Sequence, residues 1–292
     1  MTERHEERDE VDGGEGALEH EAREPVIVGA QQLHVDEGIG PPLVVFHGWS
    51  GSKHNIERWL PALTPHFRVI VPDLPGCNGA PALATRHTAD AYAAWALSFM
   101  DRLGLPRARV SGLCSGTSIA LALAAAAPER VDGLLLHTPF VRPGLIRGPI
   151  RAQLALLASP LGALFGPLSR SGTLATLHRR VFANAAEVDA EQLAHDQSDL
   201  VRADVRANRE LALDLVRVDR SATLASWRGP LGVLLARADA FVDSDATAAA
   251  VRDLAPQAVI ETIAGGHGWT PAYVRAQHDA LARLARAVGR AS

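Results

Sequence analysis

The stretch RVSGLCSGTSIALALA, residues 109–124, constrains this chain more than any other. The run RARVSG (107–112) that leads into its centre is short and mostly apolar or neutral, as a buried strand is. The run that leaves it is rich in alanine and leucine for about three turns and stops at Pro128, as a helix does. A strand that feeds a helix through Gly112-x-Cys114-x-Gly116 forces the middle residue into a tight, strained turn, its side chain projecting from the top of the sheet. Glycine is needed two residues to either side because neighbouring backbone passes too close for a Cβ. Serine is the usual occupant of the middle position, and here it is Cys114.

Around this turn, short apolar runs punctuate the chain: PVIV (25–28), LVVF (43–46), RVIVPD (68–73), ARVSG (108–112), VDGLLLH (131–137), LGVLLA (231–236) and AVIETI (258–263). Segments at helical spacing, such as 88–104 and 271–289, separate most of them, and GAQQLHVDEG (29–38) is expected to add a second amino-terminal strand in a hairpin. Strands alternating with helices predict an α/β protein with a parallel sheet covered on both faces. The alternation lapses between about Thr138 and Arg228, where helical segments such as RADVRANRELALDLVRV (202–218) occur without a convincing strand. An all-helical insertion in such a protein is most simply a lid over the carboxyl ends of the strands, where these sheets bind ligands.

Composition narrows the setting. With 292 residues, 47% apolar and 21% charged, the chain has the makings of an ordinary globular protein with a large core. Residues 1–24 hold ten acidic residues against three arginines, a net of −7 in a chain whose total is −4, which leaves about +3 for the rest. That head has only a few scattered apolar residues and several glycines, and is expected to be disordered. No basic run points to nucleic acid. The longest apolar stretch, Ala152 to Leu168, is broken by Pro160, Gly162, Gly166 and Pro167, so no membrane span is expected. Two cysteines, Cys77 and Cys114, behind a charged start predict a reduced, cytoplasmic setting. His54, His178 and His195 stand at no ligand spacing, and neither a metal nor a cofactor is expected.

Five local patterns then occur in one order. FHGWSGS (46–52) resembles a His-Gly turn after the third strand of the α/β-hydrolase fold family, and VIVPDLPGCNGAP (69–81) its fourth strand and Asp-x-x-Gly loop. GLCSG resembles the nucleophile elbow, LLARADAFVD (234–243) the strand and loop that carry the acid, and AGGHGW (264–269) the loop that carries the histidine. The resemblance covers nearly everything after the acidic head. It implies a mostly parallel eight-stranded sheet flanked by helices: a core domain at 25–138 and 229–292, with an inserted all-helical cap at 139–228.

The family's order of nucleophile, acid and histidine falls here on Cys114, Asp239 and His267. Asp243, four residues on, is a competing acid, and Asp239 is preferred. The resemblance alone implies oxyanion donors at the backbone N–H groups of Trp49, after His-Gly, and Ser115, after the nucleophile. His47 and Asp73 match positions that shape loops, and Cys77 lies in no partner motif and is expected to be packing.

Sulfur speaks to the substrate. A tetrahedral intermediate made by a thiolate expels whichever group is the better leaving group, and a thiol of pKa about 8.5 leaves far more readily than an alkanol. An unactivated alkyl ester would mostly revert, whereas thioesters, aryl or enol esters and strained lactones would not. The acyl-enzyme is itself a thioester, open to water and to thiols, amines or alcohols. The expectation is therefore a hydrolase on a small-molecule activated acyl compound, with acyl transfer through the same intermediate, or a non-catalytic binding member of the fold, as alternatives. Dienelactone hydrolases and bacterial polyester synthases are similar in having a G-x-C-x-G elbow; the synthases are much longer chains, and the cap fits neither closely. The apolar segment 144–168 either packs on the core or lines the acyl pocket, of which Trp49 is a candidate wall. The oligomeric state is left open.

Overall fold

A computed structural model of the chain describes residues 27–28, 31–32, 34–162, 190–267 and 271–289. The acidic head, His178 and residues 163–168 of the apolar segment lie outside the described residues. Nine strands are described: β1 (Ile27–Val28), β2 (Gln31–Gln32), β3 (His34–Glu37), β4 (Pro42–Phe46), β5 (Arg68–Pro72), β6 (Ala108–Leu113), β7 (Val131–His137), β8 (Leu231–Ala236) and β9 (Val259–Ile263). The seven from β3 onward form one sheet in the order β3-β5-β4-β6-β7-β8-β9. β3 runs antiparallel to β5, and every other pair is parallel. Every residue of β6 and of β8 is buried, as expected for central strands covered on both faces.

The sheet thus has seven strands among the described residues, and the expected eighth is corrected. The segment 29–38 does not form one strand. Gln31–Gln32 pairs with Ile27–Val28 as a separate two-stranded ribbon, while His34–Glu37 joins the sheet on β5. Two-residue pieces, one of them a pair of glutamines, offer too little backbone pairing and apolar surface to hold a sheet edge.

Among the described residues the α-helices, in chain order, are α1 (His54–Glu57), α2 (Leu60–Leu63), α3 (Ala89–Arg102), α4 (Ser115–Ala126), α5 (Gly148–Ala158), α6 (Ala190–Arg202), α7 (Val205–Leu215), α8 (Ser221–Ser226), α9 (Ser244–Leu254) and α10 (Val274–Gly289). Thr88 opens α3 with its hydroxyl accepting from the Ala91 N–H at 3.1 Å, and Asp204 caps α7 in the same way through Ala207. Along α10, Gln277, Ala280, Leu281, Leu284, Ala285 and Val288 recur at helical spacing and are all buried, so this face lies on the sheet. Between β7 and β8 the described residues form helices and turns and no strand. No helix among the described residues is long and apolar enough to cross a membrane.

Topology then chooses where a ligand sits. The chain leaves β4 toward β5 on one side and leaves β6 toward β7 on the other, while β4 and β6 are neighbours. The crevice at their carboxyl ends is therefore the switch point of the sheet. The loop that begins at His47 and the turn at Cys114 meet there: a Cβ built on Gly48 would lie 3.4 Å from the Cys114 Cβ.

That meeting depends on the absence of two side chains. A Cβ at Gly116 would stand 2.3 Å from the Phe46 carbonyl oxygen, and one at Gly112 would stand 2.4 Å from the Gly116 backbone. Gly116→Ala is expected to cost about 2–3 kcal/mol, because the obstacle is strand backbone that cannot rotate away. A lowered urea midpoint with an unchanged m-value is the check.

Candidate active site

The turn between β6 and α4 holds Cys114 at φ 56° and ψ −119°, a backbone region that costs a non-glycine residue about 1–3 kcal/mol. Neighbouring bonds over-determine it. The Cys114 N–H donates to the His137 carbonyl at 3.0 Å, and the Cys114 carbonyl accepts from the Thr117 N–H at 3.0 Å and from the Thr117 hydroxyl. That hydroxyl in turn accepts from the Phe140 N–H at 2.9 Å, so the turn is bolted to the chain that follows β7. The thiol is buried, 5% exposed.

Asp239 follows β8 and is buried beside His267, which follows β9. One carboxylate oxygen accepts from the N–H groups of Phe241 and Val242, at 2.7 and 2.9 Å. The other lies 2.8 Å from His267 Nδ1. Burial alone would raise this carboxyl, but the imidazole of His267 and the two backbone donors outweigh it and hold it below the usual carboxylate range. With Nδ1 given to Asp239, the other ring nitrogen is left for a second partner, and Cys114 lies close enough to act on the charge of the ring. Burial pulls the imidazole down, yet the charges of Asp239 and Cys114 prevail and raise it to about 10. Phe241 stacks on the ring, with centroids 4.1 Å apart and planes 24° apart.

The other acid has a different occupation. The Asp243 side chain accepts from the Ala246 N–H at 3.0 Å and caps α9. His47 is buried with both nitrogens engaged: Nδ1 donates to the Gly48 carbonyl at 2.9 Å, and Nε2 accepts from the Leu74 N–H at 3.0 Å. Asp73 accepts from the backbone and side-chain nitrogens of Lys53, at 2.9 and 2.7 Å, and from Asn78. Cys77 is buried, and burial together with Asp73, Asp199 and Asp204 pushes its thiol far up, so it stays protonated and inert. Ser115 is fully buried at the first position of α4, and Trp49 is half-buried, its indole N–H donating to the Asn208 carbonyl at 3.0 Å. No carbonyl among the described residues accepts from the backbone N–H of Trp49 or Ser115.

Several contributors carry no signal in the sequence. Arg147 fastens the acid loop: its Nε donates to the carbonyls of Asp239 and Val242, at 2.8 and 3.2 Å, and its backbone N–H donates to that of Phe241. Phe241 reads as one more apolar residue until its stacking on His267 is seen. Among the described residues no three histidine, cysteine or carboxylate groups gather as a metal site.

A family model described as the alpha/beta hydrolase fold matches residues 41–268. Among curated proteins, the chain is 36% identical over 100 residues to the dihydrolipoyllysine-residue acetyltransferase component of the acetoin cleaving system of Pseudomonas putida, covering 33% of this chain and 26% of that one. It is 34% identical over 113 residues to a 2-hydroxy-6-oxononadienedioate/2-hydroxy-6-oxononatrienedioate hydrolase of a Pseudomonas species, covering 36% of this chain and 39% of that one. The matches thus span well under half the length of these relatives. A thermophilic esterase from Thermogutta terrifontis superposes with a TM-score of 0.72 at 22% identity, over 88% of this chain and 93% of that one.

Two measurements test the electrostatics. Asp239→Asn is expected to lower turnover by orders of magnitude through the wrong histidine tautomer, whereas Asp243→Asn, which keeps a capping oxygen, changes it little. The same pair makes stability depend on pH. His267, raised from 6.5 to about 10, stabilises the fold fully below about pH 6.5, and that stability fades as pH rises through 10. Asp239, lowered, stabilises it above the ordinary carboxylate range and loses this as pH falls. The gap in urea midpoint between wild type and Asp239→Asn should be widest near pH 5–6 and close toward pH 10.

Proposed function

The chain belongs to the α/β-hydrolase fold family, and on that premise we propose that it is a hydrolase of activated acyl compounds that works through Cys114, His267 and Asp239. The observation that carries the reading is a strained, buried Cys114 close enough to act on the charge of an imidazole that Asp239 orients. A histidine raised to about 10 rests as imidazolium, the kind of cation beside which a cysteine sulfur becomes a good nucleophile.

The steps follow from the charges. The Cys114 sulfur attacks the acyl carbonyl, and the carbonyl oxygen takes the negative charge against the N–H groups of Trp49 and Ser115. Collapse expels the leaving group, which takes the proton of His267, and a thioester to Cys114 remains. Acylation of the sulfur takes Cys114 out of the groups that raise His267, so the imidazole becomes a usable base. It draws a proton from water, the hydroxide oxygen adds to the thioester carbonyl, and sulfur leaves as thiolate with the acid product. The substrate is one whose leaving group rivals a thiolate: a thioester, an aryl or enol ester, or a lactone.

The helices between β7 and β8 act as the cap, and Trp49 walls the acyl pocket. Two free cysteines suit a cytoplasmic protein.

Cys114→Ala should lower kcat about a thousandfold or more, and Cys77→Ala should change it little. Across esters of one acyl group, wild-type rates should rise steeply as the leaving group becomes more acidic, with simple alkyl esters nearly inert. Cys114→Ser should flatten that slope, because an alkoxide nucleophile competes evenly with an alkoxide leaving group. Ethyl and aryl esters cleaved by wild type at similar acylation rates would defeat the substrate assignment.

A further inference from the structure

The segment after His47 is strained where nothing in its own sequence demands it. The Gly51 N–H donates to the Gly48 carbonyl at 3.1 Å and closes a turn with Trp49 and Ser50 at its centre. Ser50 sits there at φ 54°, a conformation that side chains other than glycine rarely adopt. Such strain persists only where surroundings over-determine it.

The surroundings that do so belong to the helical insertion. On one side of the strained residue, the Trp49 indole donates to the Asn208 carbonyl in α7 at 3.0 Å. On the other, the Ser52 hydroxyl donates to Asp199 in α6 at 2.7 Å and accepts from the His54 N–H at 3.3 Å. Asn55 bridges the same two bodies: its oxygen accepts from the Ser52 N–H at 2.8 Å and its amide donates to Asp196 of α6 at 3.0 Å. Below, Lys53 is tied to Asp73. Ser52 and Asp199 are both buried, at 0% and 2% exposure.

We propose that α6 and α7 set the position of the Trp49 backbone N–H, with Ser52, Asp199 and Asn208 as positioning residues for the oxyanion site. This rests on the reading of Cys114 as the nucleophile. An oxyanion donor acts only within about 2.7–3.1 Å of the developing charge, and Gly48, adjacent to Trp49, already packs on Cys114. Slackening the turn shifts the donor while leaving the Cys114–His267 pair untouched. The insertion therefore holds part of the catalytic apparatus in place rather than only covering it.

Asp199 adds a pH signature. Burial pushes its carboxyl up to about 6, with Asp196 and Asp73 adding to the rise and Ser52 and His54 opposing it; the Cys77 thiol also faces it. Protonation removes the negative charge that strengthens the Ser52 bond. Turnover should then fall below about pH 6 for a reason separate from the triad.

The test compares two reactions of one thiol. Hydrolysis of p-nitrophenyl acetate forms an oxyanion, whereas alkylation of Cys114 by iodoacetamide does not. Ser52→Ala should lower kcat about tenfold to a hundredfold with KM within about threefold, and leave the alkylation rate within about twofold of wild type. Asp199→Asn, which keeps an oxygen for the Ser52 hydroxyl but not the charge, should hold kcat at every pH near the level that wild type reaches below pH 6, so that the acid limb disappears. Unchanged kcat in Ser52→Ala, an equal loss of alkylation and turnover, or an acid limb that persists in Asp199→Asn would each overturn the proposal. Turnover that survives Cys114→Ala would overturn the nucleophile reading and this one together; loss in Cys114→Ala without loss in Ser52→Ala would overturn this one alone.

Discussion

Everything at the top of this sheet depends on one backbone contact, between the first turn of α4 and the end of β4. Gly116 passes so close to the Phe46 carbonyl that a methyl group there would overlap it. The approach lets β4 and β6 end side by side, with Cys114 at one end and the His47–Ser52 loop at the other. Since the chain departs from those two strands in opposite directions, the crevice between them is left open to a ligand. A strained residue, a switch point and a buried thiol are three results of the same steric fact.

Two buried carboxylates flank the crevice, and their partners separate their roles. Asp73 faces Lys53, whose backbone N–H and side-chain nitrogen both donate to it, and the pair locks the loop after β5 to the loop after β4. Asp239 faces His267, a base whose charge changes when its neighbours do, and that pair belongs to the proposed chemistry. Both carboxylates are taken out of water at a cost that only full hydrogen bonding offsets. Asp73 accepts three bonds, and Asp239 accepts three as well.

The described helices between β7 and β8 touch the core through polar bonds as well as apolar packing. Asp204 donates its N–H to the Gly76 carbonyl at 2.7 Å, Glu210 accepts from the backbone N–H and the ring Nδ1 of His87, and Arg220 forms a two-pronged bond with Asp90. Each of these partners lies in a loop or helix start beyond the carboxyl end of β5. These helices are thus tied to the loop after β5, which Asp73 joins to the loop after β4 through Lys53.

Much of this was legible in the residues. VDGLLLH and LGVLLA coincide with β7 and β8, and the G-x-C-x-G spacing points directly to the strained turn, because periodicity and local sterics are written in adjacent residues. The edge of the sheet was not: 29–38 has the alternation of one strand, yet its two halves pair with different partners, and edge pairing is a weak, non-local choice. Nor could spacing tell Asp239 from Asp243, which differ only in that one faces His267, 28 residues away, and the other caps the helix it precedes. Ser52 and Asp199, 147 residues apart, carry no mutual mark at all. The sequence by itself determined the order of strands and helices and the residue in the strained turn, since both follow from interactions within a few residues. Only the tertiary structure decided which buried groups meet, because each of those contacts exists once distant elements have packed and shut out the water that would otherwise have taken their place.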